Sequence, residues 1–264
     1  MRKLLMITFT FVFATAASAA SLKQTVDRTF NVRAGATVSL RNVNGRITVK
    51  AWDQPRVKVV ALKEIDADKD DLQQVMGELR VEFQQRDGGL VIDTKYPRQG
   101  EGLSSIFSAI LGDKVSAKVT YDLLVPRTMN VEVSNTNGAI LLSDVAGKHE
   151  LDTTNGKIEV TRCAGSLEAS TTNGSIQAEL TSVVKGQPLR FETTNGRIEV
   201  AVPANFAADV DAETTNGSIK TDLPITTRSV DRNSLVGSIN GGGTPLRMRT
   251  TNGGISIRTL GAKE

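Results

Sequence analysis

From residue 130 onward, apolar and polar positions alternate in short runs. Most runs stop at an Asn-Gly step and resume with an Ile two residues after the Gly. Residues 151–160 show the unit, Leu-Asp-Thr-Thr-Asn-Gly-Lys-Ile-Glu-Val. Gly-x-Ile recurs at Gly138, Gly156, Gly174, Gly196, Gly217, Gly237 and Gly253, and an early copy stands at Gly45. The seven later glycines follow one another at 18, 18, 22, 21, 20 and 16 residues. That period suits one coil of a β-solenoid and is too short for a four-stranded propeller blade. Ile158 and Val160 share one face of a strand, so coils stacked at about 4.8 Å place each Ile on the next. The fold class predicted is therefore all-β, a single-stack β-solenoid of 16–22-residue coils. An Asn-Gly step between alternating strands is also a hairpin signal, and an antiparallel hairpin meander is the alternative. The two differ in whether equivalent strands are neighbours.

The turn residues predicted are Asn137-Gly138, Asn155-Gly156, Asn173-Gly174, Asn195-Gly196, Asn216-Gly217 and Asn252-Gly253, residue types that tolerate positive φ. The copy at Gly237 has Val236 in place of Asn, and Asn240-Gly241-Gly242-Gly243 beside it predicts an irregular corner.

Upstream, residues 37–40, 42–49, 56–62 and 115–125 alternate as strands. Residues 80–85 and 90–94 flank Asp87-Gly88-Gly89 as a hairpin. The period changes near residues 68–79, where Leu72, Val75, Met76 and Leu79 fall at helical spacing behind Asp68, Asp70 and Asp71. Residues 98–114 carry Leu103, Ile106, Phe107, Ile110 and Leu111 among Gly and Ser, more apolar side chains than a solvated loop holds. This segment either packs back on the body or is a docking patch.

Composition narrows the class. Aromatics are only 4% of the chain, so the core must come from small and β-branched residues, which favours stacked strands. Residues 1–20 read as a Sec signal peptide: Arg2 and Lys3, an apolar run, then small residues with cleavage near Ala19 or Ala20. The chain then divides into a signal segment (1–20), a β-rich part (21–125) and the repeats (126–261). Localisation is expected to be periplasmic or secreted, with no integral membrane segment in the mature chain. The net charge is +3, or +1 without the signal segment, which is no nucleic-acid binder's balance.

Candidate chemistry is sparse. Cys163 is the single cysteine and His149 the single histidine, so no disulfide forms within the chain and no His-rich metal site is available. No catalytic, metal or cofactor residue is predicted. Variable positions must carry any function. Three places before the Asn stand Asp152, Ser170, Glu192, Glu213 and Arg249, a surface row in a stacked coil, of which Asp152, Glu192 and Glu213 are the candidate site. Such a row is either a solvated face with weak ion pairs or a polar ladder that binds a glycan or a divalent cation.

The repeats of residues 126–260 resemble a family of exported bacterial adhesin-like proteins with β-strand repeats, a domain of unknown function related to adhesin head domains. The resemblance extends upstream through residues 42–49, Ala51-Trp52-Asp53 and the Val125-Pro126 step. It implies a β-helical fold and a cell-envelope setting, and it brings no catalytic residues. The function expected is a non-enzymatic binding, adhesion or scaffolding surface whose partner is an envelope protein or a glycan. The alternative is a carbohydrate-active β-helix enzyme, a lyase or hydrolase.

Overall fold

The computed structural model describes residues 21–66, 72–96 and 116–261. The expected signal segment, the acidic residues Asp68, Asp70 and Asp71, and the apolar segment 98–114 lie outside the described residues.

The first strands are β1 (Ser21–Asn31), β2 (Thr37–Arg41), β3 (Ile47–Trp52) and β4 (Arg56–Asp66). Then come α1 (Leu72–Glu78), β5 (Arg80–Arg86), β6 (Gly89–Lys95) and β7 (Ser116–Pro126). The repeats begin with β8 (Asn130–Asn137), β9 (Ile140–Ser143), β10 (Ala146–Asn155), β11 (Ile158–Asn173) and β12 (Ile176–Ser182). They continue with β13 (Leu189–Asn195), β14 (Ile198–Val202), β15 (Ala208–Asn216) and β16 (Ile219–Thr221). The chain finishes with β17 (Ile225–Asp231), β18 (Ser234–Ile239), β19 (Thr244–Asn252) and β20 (Ile255–Thr259).

Equivalent strands are parallel neighbours, which selects the solenoid over the meander. Ladder A runs β6, β2, β8, β10, β11, β13, β19, β15, all parallel. Ladder B runs β7, β3, β9, β11, β12, β14, β20, β16, also all parallel. β11 belongs to both, because it bends at Arg162 (φ 51°) and Gly165 (φ 111°) and passes from one ladder to the other. Inward residues of both ladders form one apolar core.

Coil order does not follow chain order at either end. The coil of β2 and β3 lies between β6–β7 and β8–β9. The last coil in sequence, β19–β20, lies between β13–β14 and β15–β16. Antiparallel strands finish the stack: β5 on β6, β4 and β1 beyond β7, and β18 and β17 beyond β15.

The apolar columns follow the repeat. Ile47, Ile140, Ile158, Ile176, Ile198, Ile255 and Ile219 stack in that spatial order, and all but Ile219 are at most 1% exposed. In ladder A, Val38, Val131, His149, Leu167, Leu189, Leu246 and Val210 form a second column. At roughly 25 cal/mol per Å² of apolar area buried, these columns are the main source of stability.

One expectation changes. Gly237 is not a coil corner: it lies within β18, antiparallel to β15 and β17. Without the Asn, residues 234–239 pair as a hairpin arm, and the turn follows at Asn240, Gly241, Gly242 and Gly243, all with left-handed φ. Within the described residues the helix covers Leu72–Glu78, with Val75, Met76 and Leu79 buried as its spacing predicts. Asp87 (φ 52°) and Gly88 (φ 78°) form the two-residue turn between β5 and β6.

Candidate functional site

The Asn-Gly corner is built from the stack itself. Each Asn amide donates to the carbonyl oxygen of its neighbour's side chain. Asn137 donates to Asn44 at 2.7 Å, Asn155 to Asn137, Asn173 to Asn155 and Asn195 to Asn173 at 2.8 Å each. Asn252 donates to Asn195 at 2.7 Å and Asn216 to Asn252 at 2.9 Å. The result is one ladder of seven amides, and Asn44 anchors its near end on the Ala117 carbonyl at 3.3 Å.

Positive φ is not what these residues share. None of the ladder asparagines adopts it, and among their glycines only Gly45, Gly138 and Gly253 do. The requirement is space. A Cβ on Gly174 would lie far inside contact distance of the Gly156 carbonyl, and the same holds from coil to coil. The first Thr of each pair is buried and also reads this carbonyl. Thr171 donates to Gly156 at 3.0 Å, Thr193 to Gly174 at 2.9 Å, Thr250 to Gly196 at 2.9 Å and Thr214 to Gly253 at 2.8 Å. In the coil of β8, Asn135 Nδ2 replaces the Thr and donates to Gly45 at 2.9 Å.

Alternation turns the second Thr outward. Thr154, Thr172, Thr194, Thr251 and Thr215 are exposed and form a row across ladder A. About 7 Å back along each strand runs the row predicted from sequence. Its spatial order is Ser134, Asp152, Ser170, Glu192, Arg249, Glu213. A shallow groove of about 610 Å³ lies along these two rows. It crosses six strands, about 24 Å at the inter-strand spacing.

The row does not hold three neighbouring acids. Ser170 stands between Asp152 and Glu192 and hydrogen-bonds Asp152. Arg249, brought in by the displaced last coil, stands between Glu192 and Glu213 and pairs with Glu213 at 3.0 Å. Glu192 pairs with Arg190 at 2.8 Å. Among the described residues no three of His, Cys, Asp and Glu are placed to hold a metal ion.

One further column escaped the sequence reading. Glu132, Glu150 and Glu168 are in register on β8, β10 and β11, beside the groove, and among the described residues no cation pairs with any of them. Like charges opposite one another on adjacent strands are unfavourable, and on its other side Glu168 stands in register with Arg190. The column's signal was available, five places before each Asn, two residues further back than the row considered.

His149 and Cys163 lie away from this face. His149 is 1% exposed in an apolar column, and desolvation lowers its pKa to about 4. Its Nε2 lies 3.3 Å from the Val145 carbonyl and its Nδ1 has no partner. Burial raises the Cys163 thiol to about 11, which leaves it protonated and unreactive at neutral pH.

Among solved structures the chain has distant likenesses. A "putative cell adhesion protein" from Clostridium sporogenes is 11% identical with a TM-score of 0.47, over 89% of this chain and 100% of that one. A "putative adhesin" from Bacteroides fragilis is 9% identical with a TM-score of 0.33, over 90% of this chain and 97% of that one. Another from Parabacteroides distasonis is 12% identical with a TM-score of 0.25, over 90% and 97%. No curated protein matches the chain. Residues 37–258 match a family over both ladders, and the chain belongs to that family, Toastrack DUF4097.

Proposed function

We propose that this protein is an exported, non-enzymatic protein of the cell envelope that binds an extended polar ligand, a glycan in this reading, along the outer face of ladder A. The observation that carries the proposal is the groove of about 610 Å³ between the threonine row and the Asp152–Glu213 row. Its hydroxyls and carboxylates can hydrogen-bond sugar hydroxyls repeatedly at coil spacing. The strands beneath are already paired in one ladder, which lowers the ordering cost of binding. Glu132, Glu150 and Glu168 favour a ligand that carries amines.

The arrangement of the acids supports binding over catalysis. Glycosidases flank the scissile bond with two carboxyl groups, whereas here Asp152, Glu192 and Glu213 stand on one sheet face with Ser170 and Arg249 between them. The leading segment expected to direct export supports the envelope setting, and no helix among the described residues is long and apolar enough to cross a membrane.

The test is a glycan array probed with the full chain and with a variant carrying Asp152→Asn, Glu192→Gln and Glu213→Gln. Binding by the first and loss in the second is the expected result. An array without signal, or equal binding by both, rejects the groove. Release of products from pectin, alginate or peptidoglycan by the purified protein would overturn the non-enzymatic reading.

A further inference from the structure

The chain contains eight Asn-Gly steps, at Asn44, Asn137, Asn155, Asn173, Asn195, Asn216, Asn240 and Asn252. This dipeptide is the one most open to spontaneous deamidation, because glycine offers no side chain to hinder attack by its own backbone nitrogen. Sequence alone makes the eight equivalent. The stack does not.

Attack requires the Gly nitrogen to be free. At six rungs of the ladder the Gly N–H donates across to the next coil. Gly45 donates to the Asn137 backbone carbonyl at 2.8 Å, Gly138 to Asn155 at 2.8 Å and Gly156 to Asn173 at 3.0 Å. Gly174 donates to Asn195 at 3.0 Å, Gly196 to Asn252 at 2.9 Å and Gly253 to Asn216 at 3.0 Å. Gly217 belongs to the last coil in space, and no further coil receives its N–H; among the described residues it has no acceptor. Exposure separates it independently. Gly217 is exposed, whereas the other six ladder glycines are partly covered. The side chain differs too: Asn216 donates to Asn252 but accepts from no further rung, so a single bond of 2.9 Å holds its amide. Asn240, outside the ladder, is also exposed, and the Gly241 N–H likewise has no acceptor among the described residues; what separates it is its amide, held by two carbonyls, those of Ala204 at 3.0 Å and Phe206 at 2.8 Å.

We infer that Asn216-Gly217 is a self-modification site, where the open end of the amide ladder deamidates in the folded protein while the interior rungs are protected. The deprotonated Gly217 nitrogen bonds to the Asn216 Cγ, the Cγ–Nδ2 bond breaks and ammonia leaves, giving a five-membered succinimide. Water then adds to either carbonyl of that ring and cleaves its bond to nitrogen, leaving aspartate or isoaspartate. No oxidant or reductant is needed. Either product removes the donor to Asn252, and aspartate also sets a carboxylate against the Asn252 side-chain oxygen. Isoaspartate also lengthens the backbone between β15 and β16 by one carbon. The terminal coil thus carries a slow chemical clock that loosens it from the stack. This inference rests on the fold and is independent of the proposed glycan binding.

The experiment incubates the full chain at mildly alkaline pH, native and in urea, and maps acid formation by peptide mass spectrometry with an isoaspartate-specific label. In urea all eight steps should react at similar rates. In the native protein, acid at position 216 should precede every other position, with interior rungs slower by about tenfold or more because they must first open locally. An Asn216→Ser variant should abolish the early product and leave the others unchanged. Native reaction at Asn173 or Asn240 as fast as at Asn216, or a native Asn216 that stays intact while the urea sample reacts, overturns the inference.

Discussion

Each coil turns twice, and its two corners solve the same stacking problem differently. At the Asn-Gly corner the same residue is repeated through seven coils. At the other corner the residues change. Arg127 pairs with Asp53 at 2.6 Å, and Arg162 pairs with Asp144 through two hydrogen bonds of 2.8 Å, with Asp144 and Arg162 in left-handed φ of 63° and 51°. A carboxamide is its own complement, since it donates on one side and accepts on the other. A charged group is not, so a corner that stacks charges must alter its residue from coil to coil. Identical stacking gives tight, obligatory geometry, whereas mixed stacking gives replaceable surface pairs.

Gly174→Ala strikes the amide corner hardest. The added Cβ meets the Gly156 carbonyl, and neither backbone can yield without disturbing both neighbouring coils. A loss of about 3 kcal/mol or more is expected, read as a fall of about 10 °C in the unfolding midpoint. Gly77→Ala, in α1, with open space around it, should leave the midpoint unchanged or raise it slightly, as alanine favours helix. An equal loss at both positions would remove close approach as the reason for the corner glycine.

This asymmetry explains what was legible in the sequence. Self-complementary columns repeat, so Asn155, Gly156, Thr153 and Ile158 announced coil, corner and core. The column of Asp53, Arg127, Asp144 and Arg162 has no repeat to see. Coil order was not legible either, because residues 244–259 carry the same signature as their neighbours whether they stack last or between β14 and β16. The misplacement of Arg249 follows directly. In chain order Glu192 and Glu213 are adjacent members of the row; in space Arg249 separates them. Gly237 failed for the opposite reason, a matching Gly-x-Ile without the amide that makes the corner. The threonine row was visible as residues, but only the coil geometry turned Thr154 outward and Thr153 inward.

His149 tests whether a mixed column can be tolerated inside. It replaces an aliphatic residue between Val131 and Leu167 and is held neutral by burial, with its pKa lowered from 6.5 to about 4. The unfolded chain therefore binds the proton first as pH falls. The stability tied to this group is complete above about pH 6.5, declines between 6.5 and 4, and is flat below. The slope is about 1.4 kcal/mol per pH unit, for a total of about 3 kcal/mol. Carboxylates titrate in the same range, so the measurement is the difference between the wild type and His149→Leu in urea unfolding at several pH values. That difference should shift in favour of the leucine variant as pH falls from 6.5 to 4. A constant difference would show that the imidazole is hydrated or partnered in the folded state.

The smallest effect should come from the mixed corner at the surface. Asp144→Asn keeps the size of the side chain, and asparagine tolerates the left-handed φ of 63° that this position adopts. What it removes is the charge facing Arg162, whose hydrogen bonds hold the Asp144 carboxyl below its ordinary pKa. The Arg162 side chain is 57% exposed, so water and salt already screen the pair. At physiological salt the unfolding midpoint should stay within about 2 °C of the wild type, and the difference should grow as salt is lowered. The same exchange of a single charge at the amide corner, Asn173→Asp, sets an acceptor against the Asn155 oxygen that Asn173 now donates to. It should therefore destabilise far more than Asp144→Asn. Equal effects of the two substitutions would mean that the amide ladder is no more than another surface row, and that close packing of glycine alone defines the corner.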